Sequence, residues 1–148
     1  MADLPGPRIA VTVDVALFTT RHDLVHVALI ERRNDPFRGM LALPGGFVDQ
    51  EEDLTAAAVR ELGEETGLKV GVESLVQLGA YGTPGRDPRG RTVSVVYRAL
   101  IPDLPDPVGG SDAADCRLVP VDEALAAALA FDHSQILADA VALSETGR

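Results

Sequence analysis

Apolar residues along this chain fall in two rhythms, and each rhythm points to a different element. Residues Ile9 to Phe18 run β-branched and apolar (Ile9, Val11, Val13, Val15, Leu17), which predicts a strand. Leu24 to Ile30 repeats the pattern, so the two are expected to pair as a hairpin across the polar turn Thr19 to Asp23. A loop is expected over Asn34 to Gly39. A short apolar stretch, Met40 to Leu43, then ends at Pro44-Gly45-Gly46, where regular structure is hard to continue. From Asp53 the composition changes to the helix formers Leu, Ala, Arg and Glu through Glu65, with Asp53 as N-cap and Gly67 where a left-handed residue is wanted. Val70 to Tyr81 and Thr92 to Ile101 read as strands around the loop Gly82 to Arg91, and Pro102 to Asp115 reads as a second loop. A short strand, Arg117 to Val121, leads into a helix opened by Val121-Asp122-Glu123. After a break near Asp132 a last helix runs from Ser134 to about Leu143. No internal repeat and no long linker divides the chain, so one domain over residues 1–148 is expected.

Composition narrows what this α/β pattern can do. Apolar residues make up 46% and aromatics 4%, so the core must rest on Val, Leu, Ile and Ala. A net charge of −10 argues against nucleic acid as a partner, because such binding depends on clustered Lys and Arg. An acidic chain can still take a small phosphate ester where divalent cations and a few arginines invert the field in one cleft. The lone Cys116 excludes an internal disulfide and suits a reducing compartment. Met1 to Pro7 lacks the features of a targeting segment, and no apolar run approaches the length of a membrane span. No membrane partner and a cytoplasmic location are therefore expected.

The chemistry concentrates on the first helix. Residues three and four apart share a helix face, so Glu61, Glu64 and Glu65 form one carboxylate cluster. Taken alone it reads as a solvated acidic face. The Gly45-Gly46 turn, which lets backbone carbonyls come close, and Arg60, which can orient carboxylates, favour a cation instead. Hard oxygen donors with no Cys or His beside them point to Mg²⁺, or Mn²⁺ as a substitute.

Gly46, five residues, Glu52, seven residues, then Arg60-Glu61-Leu62-Gly63-Glu64-Glu65-Thr66-Gly67-Leu68 is a complete match to the Nudix box. The chain thus resembles the Nudix hydrolase superfamily, which implies an α/β/α sandwich around a mixed sheet. The resemblance also implies that the Gly45 carbonyl and the side chains of Glu61, Glu64 and Glu65 hold the metals, that Glu52 supports them, and that Arg60 braces the glutamates. The implied reaction is metal-assisted attack of water on phosphorus.

Outside the box, the run from Tyr81 to Tyr97 with Arg86-Asp87-Pro88-Arg89-Gly90-Arg91, and Phe131-Asp132-His133 followed by Ile136-Leu137-Ala138-Asp139-Ala140, resemble the prokaryotic ADP-ribose pyrophosphatases. That implies a small-molecule nucleotide substrate, ADP-ribose above others, cleaved to AMP and ribose 5-phosphate, and a homodimer. Arg86, Arg89 and Arg91 make a local positive site suited to a diphosphate; the bland reading is that they pair with loop acids and hold a hairpin. Phe18, Phe37, Phe47, Tyr81 and Phe131 are candidates for stacking the base, with Phe47 and Tyr81 placed in the site. His133 is placed with them, although a histidine at a helix start also serves as a cap or packing residue. Asp112 is the candidate general base. The family often has Glu where this chain has Asp115. Two other reactions compete, a MutT-type hydrolysis of oxidised nucleoside triphosphates and a hydrolysis of NADH or dinucleoside polyphosphates. A third reading, of another class, is an ADP-ribose sensor that does not turn over. That architecture adds a winged helix, for which the residues after Ala142 leave no room, and its box commonly lacks glutamates that are present here.

Overall fold

The computed structural model describes residues 5–108 and 116–145. A seven-stranded mixed sheet forms its centre, built from β1 (Ala10–Arg21), β2 (Leu24–Glu31), β3 (Leu41–Ala42), β4 (Gly45–Phe47), β5 (Val76–Tyr81), β6 (Thr92–Leu100) and β7 (Cys116–Pro120). The main order is β3-β2-β1-β6-β5, with β4 also paired to β1 and β7 to β2. Only β1 and β6 run parallel, from Ala10↔Thr92 to Phe18↔Leu100; the other pairs are antiparallel. Helix α1 (Leu54–Thr66) covers one face, and α2 (Val121–Ala126) with α3 (His133–Glu145) covers the other.

Side-chain parity along β1 explains why this strand is apolar almost throughout. Val13, Val15 and Leu17 pack with Ala57, Ala58 and Leu62 of α1, whereas Ala16 and Phe18 pack with Ile136, Leu137 and Ala140 of α3. A strand covered on both faces has no solvent side to mark with polar residues. Thr12, Asp14 and Thr19 are the buried polar exceptions, and the parity of Asp14 sends it to the α3 face.

Helix α1 starts and stops where local chemistry directs. The Asp53 side chain accepts the Leu54 N–H, and Gly67 takes a left-handed φ of 71° while its N–H donates to the Gly63 carbonyl. A Cβ at residue 67 would also come within 2.5 Å of the Val108 carbonyl oxygen. The first hairpin is tighter than expected: Thr19 to Arg21 remain in β1, and only His22 and Asp23, at φ 53° and 63°, make the turn. The expected strand Val70 to Tyr81 is corrected at its start. Val70 is buried in the α1 core, Val72–Ser74 form a 3₁₀ turn, and pairing begins at Val76. The apolar residues of that stretch serve a loop anchor and a strand in succession, which one alternation pattern cannot separate.

Candidate active site

The carboxylates of α1 meet the segment Pro44-Gly45-Gly46, whose glycines, against the sequence expectation, continue regular structure by opening β4 against β1. Arg60 organises them: its Nε and Nη2 donate to Glu52 at 2.6 and 2.8 Å, and its Nη1 donates to Glu61 at 2.8 Å. Glu64 is farther, at 3.4 Å from Nη1, and its side chain is 59% exposed. Arg60 also reaches back to the Phe47 carbonyl at 3.2 Å, which ties α1 to β4. The fork on Glu52 holds that carboxyl down to about 2.

Glu65 lacks such a partner. Its Oε1 accepts the Gly45 N–H at 2.7 Å, but burial, with Glu61 and Asp14 nearby, pushes its carboxyl up to about 8. Burial likewise raises Glu61 above its ordinary value, against the pull of Arg60. Two acids held where ionisation is opposed form a site that gains from a cation. The glycines leave room for it: a Cβ at residue 46 would stand 2.6 Å from the Glu61 carboxylate, and one at residue 45 would stand 2.2 Å from Asp14 Oδ1. Among the described residues no three acidic, cysteine or histidine side chains already converge on one point. The donors at hand are nevertheless all hard oxygens: the Glu61, Glu64 and Glu65 carboxylates and the Gly45 carbonyl. That set fits a hard divalent ion better than zinc.

Next to the glutamates, on the α3 side of the sheet, opens a cleft of about 210 Å³. Three arginines line it. Arg86, with a side chain only 4% exposed, donates through Nε and Nη2 to Asp132 at 2.9 and 2.6 Å. Arg89 is paired to the buried Asp87 at 2.8 Å and lies over Phe47, 5.2 Å from the ring centre, and Phe131, 5.7 Å away. Arg32 also lies over the Phe131 ring, 4.8 Å from its centre, and Phe131 meets Phe37 edge to face at 4.7 Å. Burial and the neighbouring Arg89 lower the Arg32 pKa from its ordinary value, as expected where positive charge is concentrated.

The expected substrate residues therefore part company. Arg86, Arg89, Phe47 and His133 line the cleft; Tyr81 and Arg91 do not. The Tyr81 hydroxyl donates to Asp139 of α3 at 2.7 Å, so its ring fills the interface between β5 and α3. Arg91 donates to the Gly82 carbonyl and closes its own loop. Of the stacking candidates, Phe18 is buried in the core. Asp112 and Asp115 lie outside the described residues. Two charged cleft residues escaped the sequence reading, Asp14 and Arg32. Asp14 is the one acid within β1, where three threonines make it one polar position among several. Buried at 6% exposure, it accepts the Ser94 hydroxyl and faces His133 Nε2 at 3.6 Å.

The NUDIX domain profile matches residues 8–140, which is most of the chain. This chain belongs to the NUDIX domain family. Nudix hydrolases generally use divalent metals, in keeping with the oxygen donors gathered on α1. Over 118 residues the chain is 42% identical to an ADP-ribose pyrophosphatase of Methanocaldococcus jannaschii, a match covering 76% of this chain and 64% of that protein. Over 143 residues it is 39% identical to the ADPR responsive transcriptional repressor NtrR of Acinetobacter baylyi, covering 95% of this chain and 56% of that protein. The chain thus spans well under two thirds of the repressor and slightly under two thirds of the pyrophosphatase. Among solved structures, the NUDIX domain of Shewanella oneidensis NrtR complexed with ADP ribose superposes with a TM-score of 0.84 at 34% identity, covering 91% of this chain and 88% of that one.

Proposed function

We propose that this NUDIX unit hydrolyses the diphosphate of ADP-ribose, giving AMP and ribose 5-phosphate, with Mg²⁺ as the resident ion and Mn²⁺ as a substitute. The observation that carries the reading is adjacency: an acidic, cation-seeking cluster on α1 shares the Gly45-Gly46 segment with a cleft lined by three arginines and two rings. The chemistry needs both parts. A diphosphate carries the negative charge that Arg32, Arg86 and Arg89 would neutralise, and a nucleobase has the flat apolar face that Phe47 and Phe131 can stack.

Each protein group has a definable task. Glu61, Glu64, Glu65 and the Gly45 carbonyl would hold the ion. When bound, it neutralises the diphosphate and makes a neighbouring water acidic enough to attack phosphorus. Arg60 holds Glu61 in place and favours its charged form against burial, and Glu52 in turn keeps Arg60 from swinging away. Arg86 cannot wander, because both its Nε and Nη2 are tied to Asp132. A guanidinium fixed in advance loses little side-chain freedom when a phosphate arrives. The reading extends to a homodimer acting in the cytoplasm, supported by the family resemblance and the single cysteine.

A second reading is favoured by one specific resemblance. The NrtR domain is complexed with ADP ribose, and the Acinetobacter relative is a repressor responsive to it, so the same cleft could bind without turnover. The complete glutamate set supports hydrolysis. Purified protein incubated with Mg²⁺ and, separately, ADP-ribose, NADH, diadenosine polyphosphates and oxidised dGTP should turn over ADP-ribose fastest, read as AMP from the adenosine compounds and as pyrophosphate from oxidised dGTP. Comparable rates on every member would remove the substrate assignment, and calorimetric binding of ADP-ribose without AMP release would favour the sensor.

A further inference from the structure

The residues Phe131, Asp132 and His133 stand where α3 begins, and each holds a different part of the site. Phe131 supplies the ring beneath Arg32 and beside Phe37. Asp132 anchors Arg86. The His133 ring stands 5.4 Å from that of Phe131 and reaches the segment that leads into the glycines. Its Nδ1 accepts the Leu43 N–H at 3.0 Å, which leaves the ring proton on Nε2, directed at Asp14 Oδ1. The ring is 3% exposed and its Nδ1 is already engaged, so it is poorly placed to serve as a direct substrate ligand.

Two residues beyond Leu43, the same segment controls Glu65. The Pro44 carbonyl is pinned by the Val15 N–H at 2.9 Å, and the Gly45 N–H donates to Glu65 Oε1 at 2.7 Å. Asp14, opposite Gly45 in the β1–β4 register, fills the space a Cβ at residue 45 would need. The position of the segment, and of the carboxylate hung from it, therefore depends on what holds Leu43 and Asp14 from the α3 side. The His133 side chain reaches both, through a hydrogen bond to Leu43 and its approach to Asp14.

We propose that His133 is a positioning residue that sets the metal-binding segment: by accepting the Leu43 N–H beside Asp14, it fixes residues 43–46 and hence Glu65 in register with the arginine cleft. This rests on the metal site placed above, and it adds that the start of α3 links the substrate side to the cation side through one imidazole.

Two polar isosteres separate the ring's contacts. In H133N the amide oxygen takes the place of Nδ1 and keeps an acceptor for Leu43; in H133Q the amide reaches toward Asp14 but leaves the Leu43 N–H without a partner. Mn²⁺ binding to substrate-free protein, read by electron paramagnetic resonance, is the direct measurement, with kcat and KM for ADP-ribose as the companion. H133Q is expected to weaken Mn²⁺ binding by about tenfold or more, the usual cost of releasing a group that orients metal ligands, and to lower kcat more than it raises KM. H133N is expected to stay close to the wild-type Mn²⁺ constant. Wild-type Mn²⁺ binding in H133Q, or equal losses in both variants, would overturn the proposal. Failure of the wild-type protein to bind Mn²⁺ would overturn it together with the metal site. Mn²⁺ binding without ADP-ribose hydrolysis, with the two variants still differing as stated, would remove the substrate reading and leave the positioning role standing.

Discussion

At the scale of single residues, the site depends on carboxylates held under different constraints. Glu52 takes both Nε and Nη2 of Arg60, while Glu65 has one backbone N–H and an unfavourable burial. Glu65→Gln keeps an acceptor for Gly45 and removes the charge. Turnover should fall by about a thousandfold, the scale of losing a charge-stabilising group at a reacting centre, with the melting temperature unchanged or raised. Near-normal turnover in that variant would remove Glu65 from the metal set. Arg86 tests the other half of the site. Arg86→Ala leaves Asp132 without its partner, in a pair whose arginine is almost wholly enclosed. Breaking such a pair costs about 3 kcal/mol, so chemical denaturation should show a lower midpoint alongside a raised KM for ADP-ribose. A raised KM at unchanged stability would mean that the bridge to Asp132 contributes nothing to the fold.

At the scale of elements, α1 was legible because its signals are local: a cap at Asp53, a carboxylate spacing that only a helix brings together, and a glycine at the far end. Gly67→Ala should destabilise the protein by at least about 1 kcal/mol, from the left-handed φ alone, and by more because the new methyl would meet the Val108 carbonyl. Thermal unfolding at wild-type stability would show that the loop before residue 108 moves freely. The cleft was harder to read because its parts come from five separated stretches of chain. Arg86 and Arg89 announced themselves as a basic cluster in an acidic protein. Arg32 and Asp14 did not, since their roles arise from β1 and β2 lying against the start of α3. Tyr81 and Arg91 misled for the converse reason: they are neighbours of the arginine loop in sequence, yet β5 directs one toward α3 and the loop turns the other back on Gly82.

At the scale of the whole molecule, an acidic chain places an arginine-lined cleft beside a half-buried acid, and protons should compete with the cation there. In the folded chain Glu65 ionises near 8, against an ordinary value of 4.5. Between those values the folded protein keeps a proton that the unfolded chain has released. The metal-free fold should therefore lose stability as pH rises through that window. A divalent ion replaces the proton, so the increase in melting temperature on adding Mg²⁺ should be larger at about pH 8 than at about pH 5.5, and Glu65→Gln should flatten the difference. Equal Mg²⁺ shifts at both values would show that Glu65 is not where the ion sits.

The most direct test of the reaction follows the phosphorus atoms themselves. With ADP-ribose, Mg²⁺ and the wild-type protein, ³¹P nuclear magnetic resonance should show the coupled diphosphate signals replaced by two uncoupled monophosphate signals, those of AMP and ribose 5-phosphate, and no such change with Glu65→Gln. Diphosphate signals that persist with the wild-type protein, in the presence of metal, would contradict the account.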